Sequence, residues 1–99
     1  MWMETIVCSA KKGMEKRLEK LLETRNKLKK RNAKCKDAWV CKSVDGSPTF
    51  LVQTIFESED AWRSVSNFIK DKLDPKDGGI ESCLVGPPLV GMFFYNVSK

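Results

Sequence analysis

At 99 residues the chain has the length of one domain, and residues 1–99 are expected to fold as one unit. Hydrophobic residues make up 41% and charged residues 31%, which excludes a disordered chain, and no apolar run approaches the roughly 20 residues needed to cross a bilayer. The net charge of +5 is unevenly placed: residues 11–36 hold twelve Lys/Arg against three Glu, and the remainder six against ten acidic residues.

The first element is a strand over residues 5–10, rich in β-branched side chains, with Ile6, Cys8 and Ala10 on one face and Thr5, Val7 and Ser9 on the other. Lys11-Lys12-Gly13 turns the chain into a long helix whose apolar stripe is Met14, Leu18, Leu21, Leu22 and Leu28. The lysines are expected opposite that stripe, with Glu23 paired to Lys27 at i,i+4 and Asn32 at the C-terminal cap. A second strand covers residues 38–44, and Asp45-Gly46-Ser47-Pro48 is a hairpin signal leading into a third strand at 49–57. That strand places Phe50, Val52, Thr54 and Phe56 on one side and Leu51, Gln53 and Ile55 on the other, so both sides are substantially apolar.

Ser58 is the N-cap of a second helix, followed by Glu59 and Asp60 in its first turn. Its stripe is Ala61, Trp62, Val65, Phe68, Ile69 and Leu73, and the stretch from Asp74-Pro75 to Gly79 ends it. After Gly86-Pro87-Pro88 a last strand runs over residues 89–97 and is again apolar on both faces, with Met92 and Phe94 opposite Phe93, Tyr95 and Val97.

The order is β-α-β-β-α-β, an α+β fold of the ferredoxin-like kind with two helices on one face of a sheet. Two strands apolar on both faces require a cover for the second face, and the economical cover is a second copy of the chain, giving a homodimer. The start, Met1-Trp2-Met3-Glu4, has neither a basic n-region nor an apolar h-region, so a cytoplasmic location is expected and Cys8, Cys35, Cys41 and Cys83 are expected reduced. The chain has no histidine, and Cys35 and Cys41 are too far apart for a zinc knuckle, so no metal is expected.

This pattern resembles the dimeric α+β barrel superfamily and, within it, the antibiotic-biosynthesis-monooxygenase-like domains. The resemblance is carried by residues 6–13, the second strand with its hairpin, and the strand-to-helix junction Thr54-Ile55-Phe56-Glu57-Ser58-Glu59-Asp60-Ala61-Trp62. It implies a dimeric barrel and a small-molecule-binding domain similar to cofactor-free oxygenases that act on aromatic or quinol-like substrates, with no cofactor. The alternative is a non-catalytic dimerisation or ligand-sensing domain. Haem-degrading relatives rely on an Asn, a Trp and a His; Ile6, Val65 and Pro75 stand at those places, and without histidine that scheme is excluded. Quinol-type members usually carry a His after the second helix, which this chain lacks.

A cofactor-free oxygenase needs a pocket with aromatic walls and a few hydrogen-bond donors. The candidates are Trp39, Gln53, Tyr95 and Asn96, and more broadly Trp62, Thr54 and Ser9, with Trp39, Gln53 and Tyr95 expected to line a pocket between sheet and helices. Trp and Tyr also fill cores and interfaces because they bury so much area, which is the competing account of Trp39, Tyr95 and Trp62. Nucleic-acid binding through the basic helix 11–36 is the reading the sequence favours least. Of the strands that would stack bases, the first has no aromatic and the second lacks the basic-Gly-aromatic opening, and the charge lies on a helix rather than on the sheet.

Overall fold

The structure, a computed structural model, describes residues 1–96, so Val97 lies outside the described residues. Four strands, β1 (Trp2–Ser9), β2 (Cys35–Lys42), β3 (Thr49–Phe56) and β4 (Leu89–Phe94), form one sheet in the order β2-β3-β1-β4 with antiparallel pairing throughout. Two helices, α1 (Glu15–Lys30) and α2 (Glu59–Phe68), alternate with them in the predicted order. This is the ferredoxin-like α+β arrangement.

The period-two pattern decides which face is covered. Phe50, Val52, Thr54 and Phe56 of β3 and Cys8 of β1 are buried beneath the helices. Phe50 and Phe56 are almost wholly enclosed, each contributing about 1.5–3 kcal/mol through burial. From α1, Leu18, Leu21 and Leu22 close the core over Cys8, Phe50 and Val52. From α2, Ala61 and Val65 pack on Phe56. Leu18→Ala would open a cavity at the centre of the first cluster, costing about 2–5 kcal/mol.

Several boundaries differ from the pattern-based expectation. β1 starts at Trp2 because Trp2 and Met3 pair with Phe56 and Ile55 on one side and with Phe94 and Phe93 on the other. β2 starts at Cys35 and ends at Lys42, with an irregularity between Cys35 and Asp37. Asn32 is not the helix cap: Arg31 is the C-cap of α1, and Asn32 instead accepts the Lys34 backbone N–H on its side-chain oxygen at 2.9 Å. Among the described residues Glu23 and Lys27 form no ion pair; Glu15 reaches across to Lys42 instead, at 2.6 Å.

Ser58 caps α2 as expected, its Oγ accepting from Ala61 N at 3.2 Å. The helix does not stop at Asp74-Pro75, however. It widens into a π-helical turn, Ile69–Leu73, and then tightens into α3 (Asp74–Asp77), where Pro75 sits in the first turn and needs no N–H partner. Gly78 ends α3 with φ 83°, a left-handed conformation suited to glycine. The following 3₁₀ turn, Ile80–Cys83, had no clear pattern in the sequence, yet Cys83 and Leu84 plug the core beneath α1. Phe68, placed on the α2 stripe by periodicity, is 48% exposed.

The other sheet face carries no helix. Cross-strand partners share a face, so Asp37, Ile55, Met3 and Phe93 form one row on it, Trp39, Gln53, Thr5 and Gly91 the next, and Cys41, Leu51, Val7 and Leu89 the third. Trp39, Leu51, Leu89 and Phe93 are all exposed there. Gly91 leaves room for the Phe93 ring: a Cβ at Gly91 would come within 2.8 Å of it.

Candidate functional site

The sequence-based candidates divide between the two faces of the sheet. Trp39 and Gln53 are direct partners on the uncovered face, where Gln53 Oε1 accepts from Thr5 Oγ1 at 2.8 Å. Tyr95 follows β4 at the parity of Gly91 and Phe93, with its backbone N bonded to Met1 O at 3.0 Å, and Asn96 is exposed just beyond. These residues therefore do not together line a pocket between sheet and helices, although Trp39 borders an open hollow that β2 forms with Glu23, Asn26, Lys27 and Lys30 of α1. The alternation of β2 and β3 turns Trp39 and Gln53 away from that side, and Tyr95 continues the outward row of β4. Ser9 shares a hydrogen bond with Thr49 Oγ1 at 2.8 Å on the same outward face.

Between sheet and helices lies a cleft of about 210 Å³, lined in part by Ile6, Leu22, Val52, Ile69 and Ile80 and by the charged groups Glu4, Arg25 and Lys29. A larger hollow of about 350 Å³, bounded by Leu28, Arg31, Asn32, Ser64, Val65 and Phe68, is more open and contains no buried ionisable side chain. The chemistry is concentrated in the smaller cleft.

Two basic residues of α1 point inward rather than outward, contrary to the expectation that the lysines lie opposite the apolar stripe. Leu18, Leu22, Arg25 and Lys29 follow one another at spacings of four, three and four, so Arg25 and Lys29 continue the buried stripe. Lys29 Nζ donates to Thr54 Oγ1 at 3.2 Å and stands 3.9 Å from Glu4 Oε1. Glu4, at the parity of Ile6 and Cys8, accepts from Trp62 Nε1 on its other oxygen at 3.0 Å. The Trp62 ring in turn packs at a tilt on Trp2, centroids 5.8 Å apart. Burial pushes the Lys29 ammonium below the usual lysine range, and the Glu4 charge opposes that shift without cancelling it.

Arg25 anchors the segment that closes one end of the cleft. Its guanidinium donates to Asp74 Oδ1 at 2.6 Å and to both oxygens of Asp77 at 2.9 and 3.0 Å, tying α1 to α3. Burial pulls the Arg25 pKa down, but the hydrogen bonds to Asp77 and Asp74 outweigh it and the net shift is upward.

Thr54 and Trp62, two of the broader sequence candidates, belong to this cluster. Glu4, Arg25 and Lys29 do not stand out in the sequence as site residues. The available signals were the parity of Glu4 in β1 and the four-three-four spacing in α1. Among the described residues no group of three or more His, Cys, Asp and Glu side chains is arranged to hold a metal ion, and no helix is long and apolar enough to cross a membrane.

No family model matches the chain, and no curated protein matches it. Its fold, by contrast, is shared with the antibiotic-biosynthesis-monooxygenase-like dimeric α+β barrel proteins. A structure described as an antibiotic biosynthesis monooxygenase superposes with a TM-score of 0.81 at 8% identity, covering 98% of this chain and all of that one. A variant of SnoaB, a cofactor-independent oxygenase from Streptomyces nogalater, gives 0.79 at 10% identity, covering 98% and 94%. Rv0793 from Mycobacterium tuberculosis gives 0.80 at 13% identity, covering 99% and 98%. At these identities the likeness establishes the fold.

Proposed function

We propose that residues 1–99 form one domain that binds a small aromatic molecule in the cleft beside Lys29 and oxidises it with dioxygen, without metal or flavin. The observation that carries this reading is the buried Lys29–Thr54–Glu4 cluster at a cleft whose apolar side is formed by Ile6, Leu22, Val52, Ile69 and Ile80. The cofactor-independent oxygenase among the proteins of similar fold points the same way. A dry cavity of about 150 Å³ accommodates benzene, so a cleft of about 210 Å³ suits a single-ring phenol or hydroquinone better than a polycyclic substrate.

In this scheme the Lys29 amine accepts the phenolic proton and becomes the ammonium that faces the phenolate. The electron-rich phenolate then passes an electron to dioxygen, and recombination places one oxygen on the ring. Loss of water gives the quinone, so phenol and dioxygen are converted to quinone and water. Lys29 is the base and counter-ion, Thr54 positions its Nζ, and Glu4 supplies the opposite charge behind it.

The same reading includes a homodimer formed through the uncovered sheet face, since Trp39, Leu51, Leu89 and Phe93 expose apolar surface there. The test is oxygen uptake with a panel of single-ring phenols and hydroquinones, corrected for protein-free oxidation. Uptake that disappears in Lys29→Met supports catalysis. Binding of the same compounds without uptake would replace it with the ligand-sensing alternative.

A further inference from the structure

We propose that Lys29 is a reactive amine that captures small aldehydes in the cleft as imines, with Glu4 and Thr54 managing the protons. The inference rests on the ligand access assumed for this cleft but not on oxygen chemistry. An ammonium carries three N–H donors. Lys29 Nζ has one partner at hydrogen-bond distance, Thr54 Oγ1 at 3.2 Å, and Glu4 Oε1 lies farther off at 3.9 Å. With its side chain only 7% exposed, Lys29 is largely withdrawn from solvent, which disfavours the charged ammonium. A neutral amine, with two donors and a lone pair, fits these surroundings better. The unprotonated amine is also the form that adds to carbonyl compounds.

The surroundings meet the other requirements of that reaction. Ile6, Leu22, Val52 and Ile69 offer an apolar wall for the body of the aldehyde. The Nζ lone pair forms a bond to the carbonyl carbon as the π pair moves to oxygen. A proton passes from nitrogen to that oxygen through the Glu4 carboxylate or the Thr54 hydroxyl. Water then leaves as the C=N bond forms, so amine and aldehyde become imine and water with no oxidant or reductant consumed. The titratable and charged groups around Nζ are Glu4 from β1, Cys35 from β2, Arg25 one turn back on α1, and Asp74 and Glu81 along the same cleft. Burial dominates among them and favours the neutral amine.

The experiment is reductive trapping of the full chain with benzaldehyde and cyanoborohydride near neutral pH, followed by peptide mass spectrometry. Each unit by which a lysine's pKa falls raises its free-amine fraction about tenfold at fixed pH. The expected result is that Lys29 carries the dominant benzyl adduct, ahead of exposed lysines such as Lys16 and Lys20. Lys29→Arg, with folding confirmed by circular dichroism, loses the dominant adduct. Adducts spread over the exposed lysines with Lys29 unmodified would overturn the proposal. Because trapping needs neither phenol nor oxygen, its failure leaves the oxygenase reading standing, and absence of oxygen uptake leaves the trapping result intact.

Discussion

Trp62 Nε1 donates to Glu4 Oε2 at 3.0 Å, joining α2 to the second layer of the molecule through residues 58 positions apart. The bond fixes one carboxylate oxygen and leaves the other facing Lys29. Trp62→Phe preserves most of the apolar volume but strips the donor from a group that is about nine-tenths buried. The expected loss is about 1–3 kcal/mol of stability, measured by urea unfolding.

Lys29 and Glu4 are neighbouring polar groups whose burial is costly when either is left without the other, so removing both is predicted to be cheaper than removing one. The double variant Lys29→Met, Glu4→Gln should unfold within about 1 kcal/mol of the parent or be more stable, while ligand binding is lost. The pH dependence has a definite sign. Because the Lys29 pKa is lowered in the folded protein, the unfolded chain binds more protons between that lowered value and the ordinary 10.5. Stability attributable to Lys29 therefore rises with pH through that window and is constant below it. Lys29→Met should flatten the rise in denaturation series run from neutral to alkaline pH.

The Arg25 clamp is predicted to govern the opening of the cleft. Arg25→Ala removes three charge-assisted hydrogen bonds to Asp74 and Asp77, and a loss of about 2 kcal/mol is expected in unfolding experiments. Faster amide exchange should be confined mainly to residues 69–83. The Arg25 hydrogen bond holds the Asp77 carboxyl below its ordinary value of 3.8. Its contribution is thus fully present above that value and is lost as pH falls through the depressed one. Asp77→Asn should blunt acid destabilisation in a pH series below about 4. Asp45, held at about 2 by hydrogen bonds from Ser43 and Ser47, adds a second acid-sensitive point in the β2–β3 turn that Asp77→Asn leaves in place.

The uncovered sheet face yields an independent prediction. Leu51→Glu places a charge at the centre of the row Cys41–Leu51–Val7–Leu89. If that face joins two copies, sedimentation equilibrium should show the parent as a dimer and the variant as a monomer with unchanged circular dichroism. A monomeric parent would remove the dimer from the account.

Strand alternation in 49–56, the Ser58 cap and the order of elements were legible because each depends on local periodicity or local hydrogen bonding. The cleft was much less so. Trp39, Gln53 and Tyr95 carry the side chains expected of an aromatic pocket, but their parity sets them on the opposite face from the helices. Lys29 sits in a run of cations that looks solvent-facing, and its inward direction follows from its spacing to Leu18, Leu22 and Arg25 rather than from its type. The continuation past Pro75 was hidden because proline is tolerated in a first helical turn, and the preceding π turn gives no sequence signature of its own.

The most direct test of the cleft as the ligand site uses the indole N–H signals of Trp2, Trp39 and Trp62 in a ¹⁵N-labelled sample titrated with a single-ring hydroquinone under anaerobic conditions. Trp62 is bonded to Glu4 and packed on Trp2, whereas Trp39 lies on the opposite sheet face. The account predicts that Trp62 shifts in a saturable way, with Trp39 unmoved. A saturable shift of Trp39 with Trp62 unmoved would move the ligand to the uncovered face and contradict it.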